Sequence, residues 1–276
     1  MLAEMGVRVW APRPARADES PTATAPRAHG PDAAPVVAAR PAVAAPISPP
    51  EVAPHVTSSP AVSPPVAETR AAEETQPRLH PGLVNTMDWP ALREAVAGCQ
   101  ACALCKNRKN TVFGVGDTQA DWMIVGEAPG DNEDRQGEPF VGAAGQLLDN
   151  MLRAVGRNRS GEGAKGTFIA NVLKCRPPAN RNPMPEEVAE CEPYLVRQVA
   201  LVQPKVIVAM GRFAVQSLLK TTEPIGRLRG KVHRYEGVPV IVTYHPAYLL
   251  RTPGDKGKAW ADLCLAMDTL DHPPLP

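Results

Sequence analysis

The sequence predicts an α/β domain over residues 81–276, a three-layer α/β/α sandwich with a central four-stranded, mainly parallel sheet. Three observations predict it. Short apolar runs rich in β-branched residues stand at 122–125 (WMIV), 167–170 (TFIA), 206–210 (VIVAM) and 240–243 (VIVT). Near-continuous hydrophobicity of that length belongs to strands buried on both faces. Helical patterns separate the runs, and strand–helix alternation builds parallel sheets. The distinctive loops all follow strand ends, where open α/β sheets hold their ligands.

In chain order, residues 1–80 come first, with 15 of the 32 prolines. From Pro12 to Pro77 the chain is mostly Ala, Pro, Val, Thr, Ser and Arg, without an aromatic residue. Such a segment cannot offset its conformational entropy by burial, and disorder is expected. The remainder is long enough for a real core. A helix fits 88–97, with Asp88 as N-cap and Pro90 in the first turn. The first strand leads into GEAPGDNED, and a helix fits 145–155. Asn171 ends the second strand, and the pattern at 185–202 is a long helix. GRFA follows the third strand into a helix at 212–220. Lys231–Tyr235, a Glu236–Gly237 turn and Val238–Thr243 read as a hairpin into the last strand. YHPAYLLR and a helix at 258–270 complete the domain.

No run of 18 apolar residues exists, which excludes an apolar helix spanning a membrane. The opening MLAEMGVRVWAPRP lacks the apolar stretch of a secretion signal, so a cytoplasmic location is expected. A net charge of +1 neither demands nor excludes nucleic acid. Local basic groups are Lys106, Arg108 and Lys109, then Arg227, Arg229, Lys231 and Arg234, then Arg251, Lys256 and Lys258.

Six cysteines stand at 99, 102, 105, 175, 191 and 264. With no mark of secretion, a metal site is favoured over a disulfide framework. Four thiolates suit zinc or a [4Fe–4S] cluster, and spacing does not separate the two. Cys99-x2-Cys102-x2-Cys105 is similar to a bacterial ferredoxin run, but the next expected ligand position is Lys109. Cys264 falls in phase with apolar neighbours on a helix and reads as a core thiol.

GEAPG lacks the lysine of a phosphate loop and the full GxGxxG spacing. It offers a strand-end turn with exposed amides and the acids Glu127, Asp131, Glu133 and Asp134. Singly, Phe140, Asn171 and His245 read as a core ring, a cap and a turn residue. Together the strings GEAPGDNED (126–134), EPFVGAAGQLLD (138–149), IANVLKCRPPANRNP (169–183) and YHPAYLLR (244–251) read differently. The chain from about Gly98 to Leu270 resembles the family 4, iron–sulfur uracil-DNA glycosylases.

That resemblance implies a uracil-DNA glycosylase-like fold and a [4Fe–4S] cluster held by Cys99, Cys102, Cys175 and Cys191, with Cys105 outside the pattern. It implies a pocket in which the backbone of Gly126, Glu127 and Ala128 lines uracil. Phe140 stacks on the base, Asn171 reads its edge, and His245 donates toward the leaving base. Tyr248, Leu249, Leu250 and Arg251 form the DNA-side loop. Family 1 enzymes carry a water-activating Asp where this chain has Ala128, which leaves Glu127 and Glu133 as candidates for that role. A related branch that traps uracil-DNA covalently has GEQPG and a His-bearing insertion; GEAPG and CRPPANRNP here favour turnover.

The expected activity is hydrolysis of uracil from single- or double-stranded DNA by a monomer. Two rivals are a non-catalytic binder of uracil-DNA and a zinc-stabilised nucleic-acid adaptor. Residues 2–10, LAEMGVRVW, resemble the N-terminal peptide of the psi subunit of bacterial DNA polymerase III. They suggest a contact with replication machinery anchored by Trp10.

Overall fold

The computed structural model describes residues 81–272. The expectations for residues 1–80, disorder and the replication contact alike, lie outside the described residues.

Six strands form one sheet in the order β1-β3-β2-β4-β6-β5. They are β1 (Val115–Gly116), β2 (Trp122–Gly126), β3 (Thr167–Asn171), β4 (Val206–Met210), β5 (Val232–Tyr235) and β6 (Val238–Thr243). The four inner strands are parallel, as expected from the four apolar runs. The sheet is two strands larger than expected, because β1 and β5 add antiparallel edges to β3 and β6. The hairpin at 231–243 accounts for β5. A two-residue β1 carries no alternation that a sequence pattern can show.

Every residue of β2, β3 and β4 is buried. Successive side chains leave a strand on opposite faces, so continuous hydrophobicity feeds two cores. Met123, Val125, Phe168, Ala170, Ile207 and Ala209 fill one of them. There they meet α2 (Trp89–Gly98), α5 (Pro185–Val202) and α6 (Arg212–Leu219). Trp122, Ile124, Ile169, Val206, Val208 and Met210 fill the other. Their partners are α4 (Gly142–Ala154), α8 (Pro246–Arg251) and α9 (Lys256–Asp271). Short helices α1 (Pro81–Val84), α3 (Asp131–Gln136) and α7 (Ile225–Leu228) complete the described chain.

Asp88 caps α2 as expected, its carboxylate accepting from Ala91 N at 3.0 Å, with a proline in the first turn. Two expected loops contain helices instead, α3 within GEAPGDNED and α8 within YHPAYLLR. Each is only six residues long, and each has an end held by a side chain described below.

The parallel register aligns the strand ends. Gly126 pairs with Asn171 across β2–β3, and Met210 with Thr243 across β4–β6. The loops GEAPG, NVLKC and YHPAY therefore leave the sheet along one rim.

Candidate active site

The ladder between β2 and β3 continues past both strands. Val172 N donates to Gly126 O and Leu173 N to Glu127 O, each at 3.0 Å. These bonds bind the GEAPG turn to the segment that carries Cys175. Asn171 is 2% exposed at the rim. A Cβ on Gly126 would lie 2.4 Å from both Asn171 Oδ1 and Phe140 Cζ. Only glycine lets the amide and the ring close over this turn.

A cleft of about 480 Å³ opens at the rim. Glu127, Ala128, Glu133, Phe140, Asn171, His245, Tyr248 and Arg251, all expected at the site, line it. Gly126, also expected there, is buried at the end of β2 and is not among the lining residues; it packs against Asn171 and Phe140, which are. Ala144 and Asn180 also line it and were not anticipated. Asn180 lies within the CRPPANRNP string, which was its available signal.

Phe140 and His245 stack, their ring centroids 5.3 Å apart and their planes 23° from parallel. His245 caps α8, Ala247 N donating to its Nδ1 at 3.1 Å. With Nδ1 accepting, the proton of the neutral ring sits on Nε2. Burial, with Arg251 adding like charge, pushes the His245 pKa down to about 4. The ring is therefore a neutral donor at ordinary pH.

The acids divide. Glu133 Oε2 accepts from Gly130 N at 3.0 Å and Oε1 from Val141 N at 2.9 Å. It fastens the GEAPG turn to the segment after Phe140. Asp134 is buried and accepts from Lys109 N at 2.9 Å. Asp131 pairs with Arg176 and Arg135. Glu127 differs: burial raises its pKa to about 7, while Arg212 pulls the other way.

The expected DNA-side loop is a helix, and its period corrects the reading. Leu249 is 0% exposed and packs in the core against α4, so it does not belong to a surface that meets DNA. Leu250, at 44%, faces outward, as does Arg251. Tyr248 stacks near Tyr244 at 4.9 Å and donates to Asp255 at 2.6 Å. Arg229, one of the basic candidates, is committed inside the fold. It pairs with buried Asp262 at 2.7 Å and lies 4.5 Å over the Tyr244 ring.

Away from this cleft, Cys99, Cys102, Cys175 and Cys191 line a second, narrow cavity. Cys105 reaches it too. Cys264 lies on α9, only partly buried. Burial drives the Cys175 pKa up to about 11, countered by a bond from Arg108 Nη1 to its Sγ at 3.2 Å. Cys191 is pushed up to about 12, again by burial. Among the described residues no group of three or more His, Cys, Asp or Glu is placed to hold a metal ion. The cavity is nevertheless lined by five thiols, those of Cys99, Cys102, Cys105, Cys175 and Cys191, the donor type an iron–sulfur cluster takes.

Lys174 joins the two sites. Its fully buried amino group donates to Asn171 O at 2.8 Å and Gln198 Oε1 at 2.7 Å, and it also lines the cysteine cavity.

Residues 113–264 match the family model of the uracil DNA glycosylase superfamily. A type-4 uracil-DNA glycosylase of Pyrobaculum aerophilum is 44% identical over 187 residues, 65% of this chain and 93% of the relative. One from Archaeoglobus fulgidus is 48% identical over 166 residues, covering 57% and 81%. One from Thermotoga maritima is 44% identical over 160 residues, covering 57% and 81%.

Proposed function

Because the chain belongs to the uracil DNA glycosylase superfamily, we propose that its rim cleft is where it takes up uracil flipped out of DNA and cuts the N-glycosidic bond. It is a uracil-DNA glycosylase of DNA repair, releasing free uracil and leaving an abasic site. The observation that carries the assignment of roles is the convergence of Asn171, Phe140 and a neutral His245 on one cleft.

A base inside a duplex is unreachable, so the nucleotide is extruded at a cost of a few kcal/mol. Leu250 and Arg251, on the exposed face of α8, fill the gap and meet the backbone. Phosphate contacts of this kind add affinity without sequence preference. In the cleft Phe140 stacks on the ring and Asn171 pairs with its N3–H and O4. Bond breaking leaves an oxocarbenium-like sugar and a uracil anion. Fixed donors aimed at charge as it develops supply the largest gain. Nε2–H of His245 and the amides of the GEAPG turn are such donors. Glu127, as carboxylate, orients water or stabilises the cationic sugar. Glu133 has both oxygens engaged by amides and holds the turn in place.

Cys99, Cys102, Cys175 and Cys191 hold a [4Fe–4S] cluster in this reading, supported by their shared cavity. When bound, it supplies cross-links between the segment ahead of β2 and that after β3. Action as a monomer is part of this reading. In this reading the protein works in the cytoplasm, at the nucleoid; no described helix is long and apolar enough to cross a membrane.

The test is excision from single- and double-stranded oligonucleotides containing one uracil. Release of uracil and an alkali-labile site are expected; tight binding without release supports the non-catalytic binder.

A further inference from the structure

Phe140 holds a backbone conformation that a bulky side chain rarely adopts, with φ of +53°. Such a residue persists only where its surroundings over-determine it. Its ring, its carbonyl and the amide that follows it are all held. Its ring lies against His245 and over Gly126. The following amide, Val141 N, is bound by Glu133. Its carbonyl is approached so closely by α4 that a Cβ on Gly145 would stand 1.8 Å from Phe140 O. That same carbonyl accepts from Arg159 Nη2 at 2.8 Å.

Arg159 lies between α4 and β3, outside every string that marks the site. Its guanidinium is used on three sides. Nη1 donates to Pro139 O at 3.2 Å, Nη2 to Phe140 O, and Nε pairs with Asp149 of α4 at 2.8 Å. The planar fork joins two consecutive carbonyls to a carboxylate on a rigid helix, a geometry lysine cannot reproduce. The Arg159 side chain is mostly buried, at 19% exposure, while Asp149 is partly open to solvent.

We propose that Arg159 is a positioning residue for excision. It fixes the strained turn at Phe140 and so sets the plane in which the ring stacks on the base. This rests on the reading of Phe140 as the stacking residue. Misplacement by about 1 Å at a reacting centre costs on the order of 100-fold in rate. The loss belongs in the chemical step, because Arg159 belongs to none of the surfaces assigned here to DNA.

The experiment is a double-mutant comparison of Arg159→Ala and Phe140→Ala in the cluster-loaded full chain. It reads single-turnover excision, and binding of an oligonucleotide with a tetrahydrofuran abasic site. Arg159→Ala is expected to lose roughly 10- to 100-fold in single-turnover rate. Binding of the abasic oligonucleotide and visible absorption should stay unchanged. In the Phe140→Ala background the same substitution should cost little more. An equal loss in both backgrounds, or no loss from Arg159→Ala in the parent, overturns the inference while leaving the stacking role intact. Normal excision by Phe140→Ala alone overturns the stacking role, and the inference with it. If Arg159→Ala does not fold, Arg159→Lys keeps the Asp149 pair, loses the fork and carries the same comparison.

Discussion

Gly126 and Asn171 face each other at the ends of neighbouring parallel strands, so close that one added carbon on Gly126 would lie 2.4 Å from Asn171 Oδ1. The same carbon would press on Phe140 Cζ at 2.4 Å. Gly126→Ala should therefore displace both groups that hold the base. Single-turnover excision should fall by about 100-fold, while iron content and binding to uracil-free DNA stay near normal. Unimpaired excision would mean that neither side chain needs its present position.

Two opposed pKa shifts give a specific pH profile. The acting forms are the Glu127 carboxylate and the neutral His245 ring. Glu127, raised to about 7 by burial, gains its charge as pH rises through that value. His245, lowered to about 4 by burial, stays neutral until pH falls far below its ordinary range. The single-turnover rate should climb through about pH 7 and then level off. Glu127→Gln should lower the plateau and abolish that limb. A limb that survives in Glu127→Gln belongs to another group.

Ligation and folding are coupled for buried thiol sites. Serine at Cys99, Cys102, Cys175 or Cys191 should give pale protein with little iron and a lowered melting temperature. Cys105 shares the cavity but lies outside the pattern that the family resemblance implies for the ligands, and Cys105→Ser should retain full iron content. Bleaching by Cys105→Ser with retention by Cys99→Ser would reverse the assignment.

Adjacent leucines on α8 should separate stability from DNA binding. Leu249 is buried and Leu250 is exposed. Leu249→Ala should cost about 2–5 kcal/mol of stability through the cavity it leaves. Leu250→Ala should leave the melting temperature unchanged and reduce excision from duplex more than from single-stranded DNA. Equal effects on both substrates would remove Leu250 from base extrusion.

How much was legible follows from the physics of each element. The four parallel strands were visible because burial on both faces leaves a short, nearly continuous apolar run, broken only by Thr167 and Thr243 at the ends of two of them. Strand β1 is two residues long and shows no period. Helices α3 and α8 were hidden in loop-like strings, since Glu133 and His245 hold their starts by local side-chain bonds that composition does not reveal. Once α8 is known, helical geometry alone separates inward Leu249 from outward Leu250. The rim residues were legible through their motifs. Arg159 was not, because an arginine that binds backbone carbonyls leaves no pattern in sequence.

The central claim is that Asn171 reads uracil. A primary amide carries an acceptor beside donors. Uracil offers N3–H beside O4, which such an amide satisfies, whereas cytosine presents the inverse pattern. Cytosine in the cleft would leave buried groups unpaired at roughly 1–3 kcal/mol each, the route by which a hydrogen-bonding pocket rejects an analogue. Asn171 is 2% exposed, its backbone carbonyl accepts from Lys174, and its side-chain Oδ1 closes over Gly126, so the amide has little freedom to adapt. The direct measurement is single-turnover uracil excision by Asn171→Ala, made alongside iron content and binding to uracil-free DNA. We expect a loss of about 100-fold or more with both controls unchanged. Near-normal excision would show that Asn171 only terminates β3 and that uracil is recognised elsewhere.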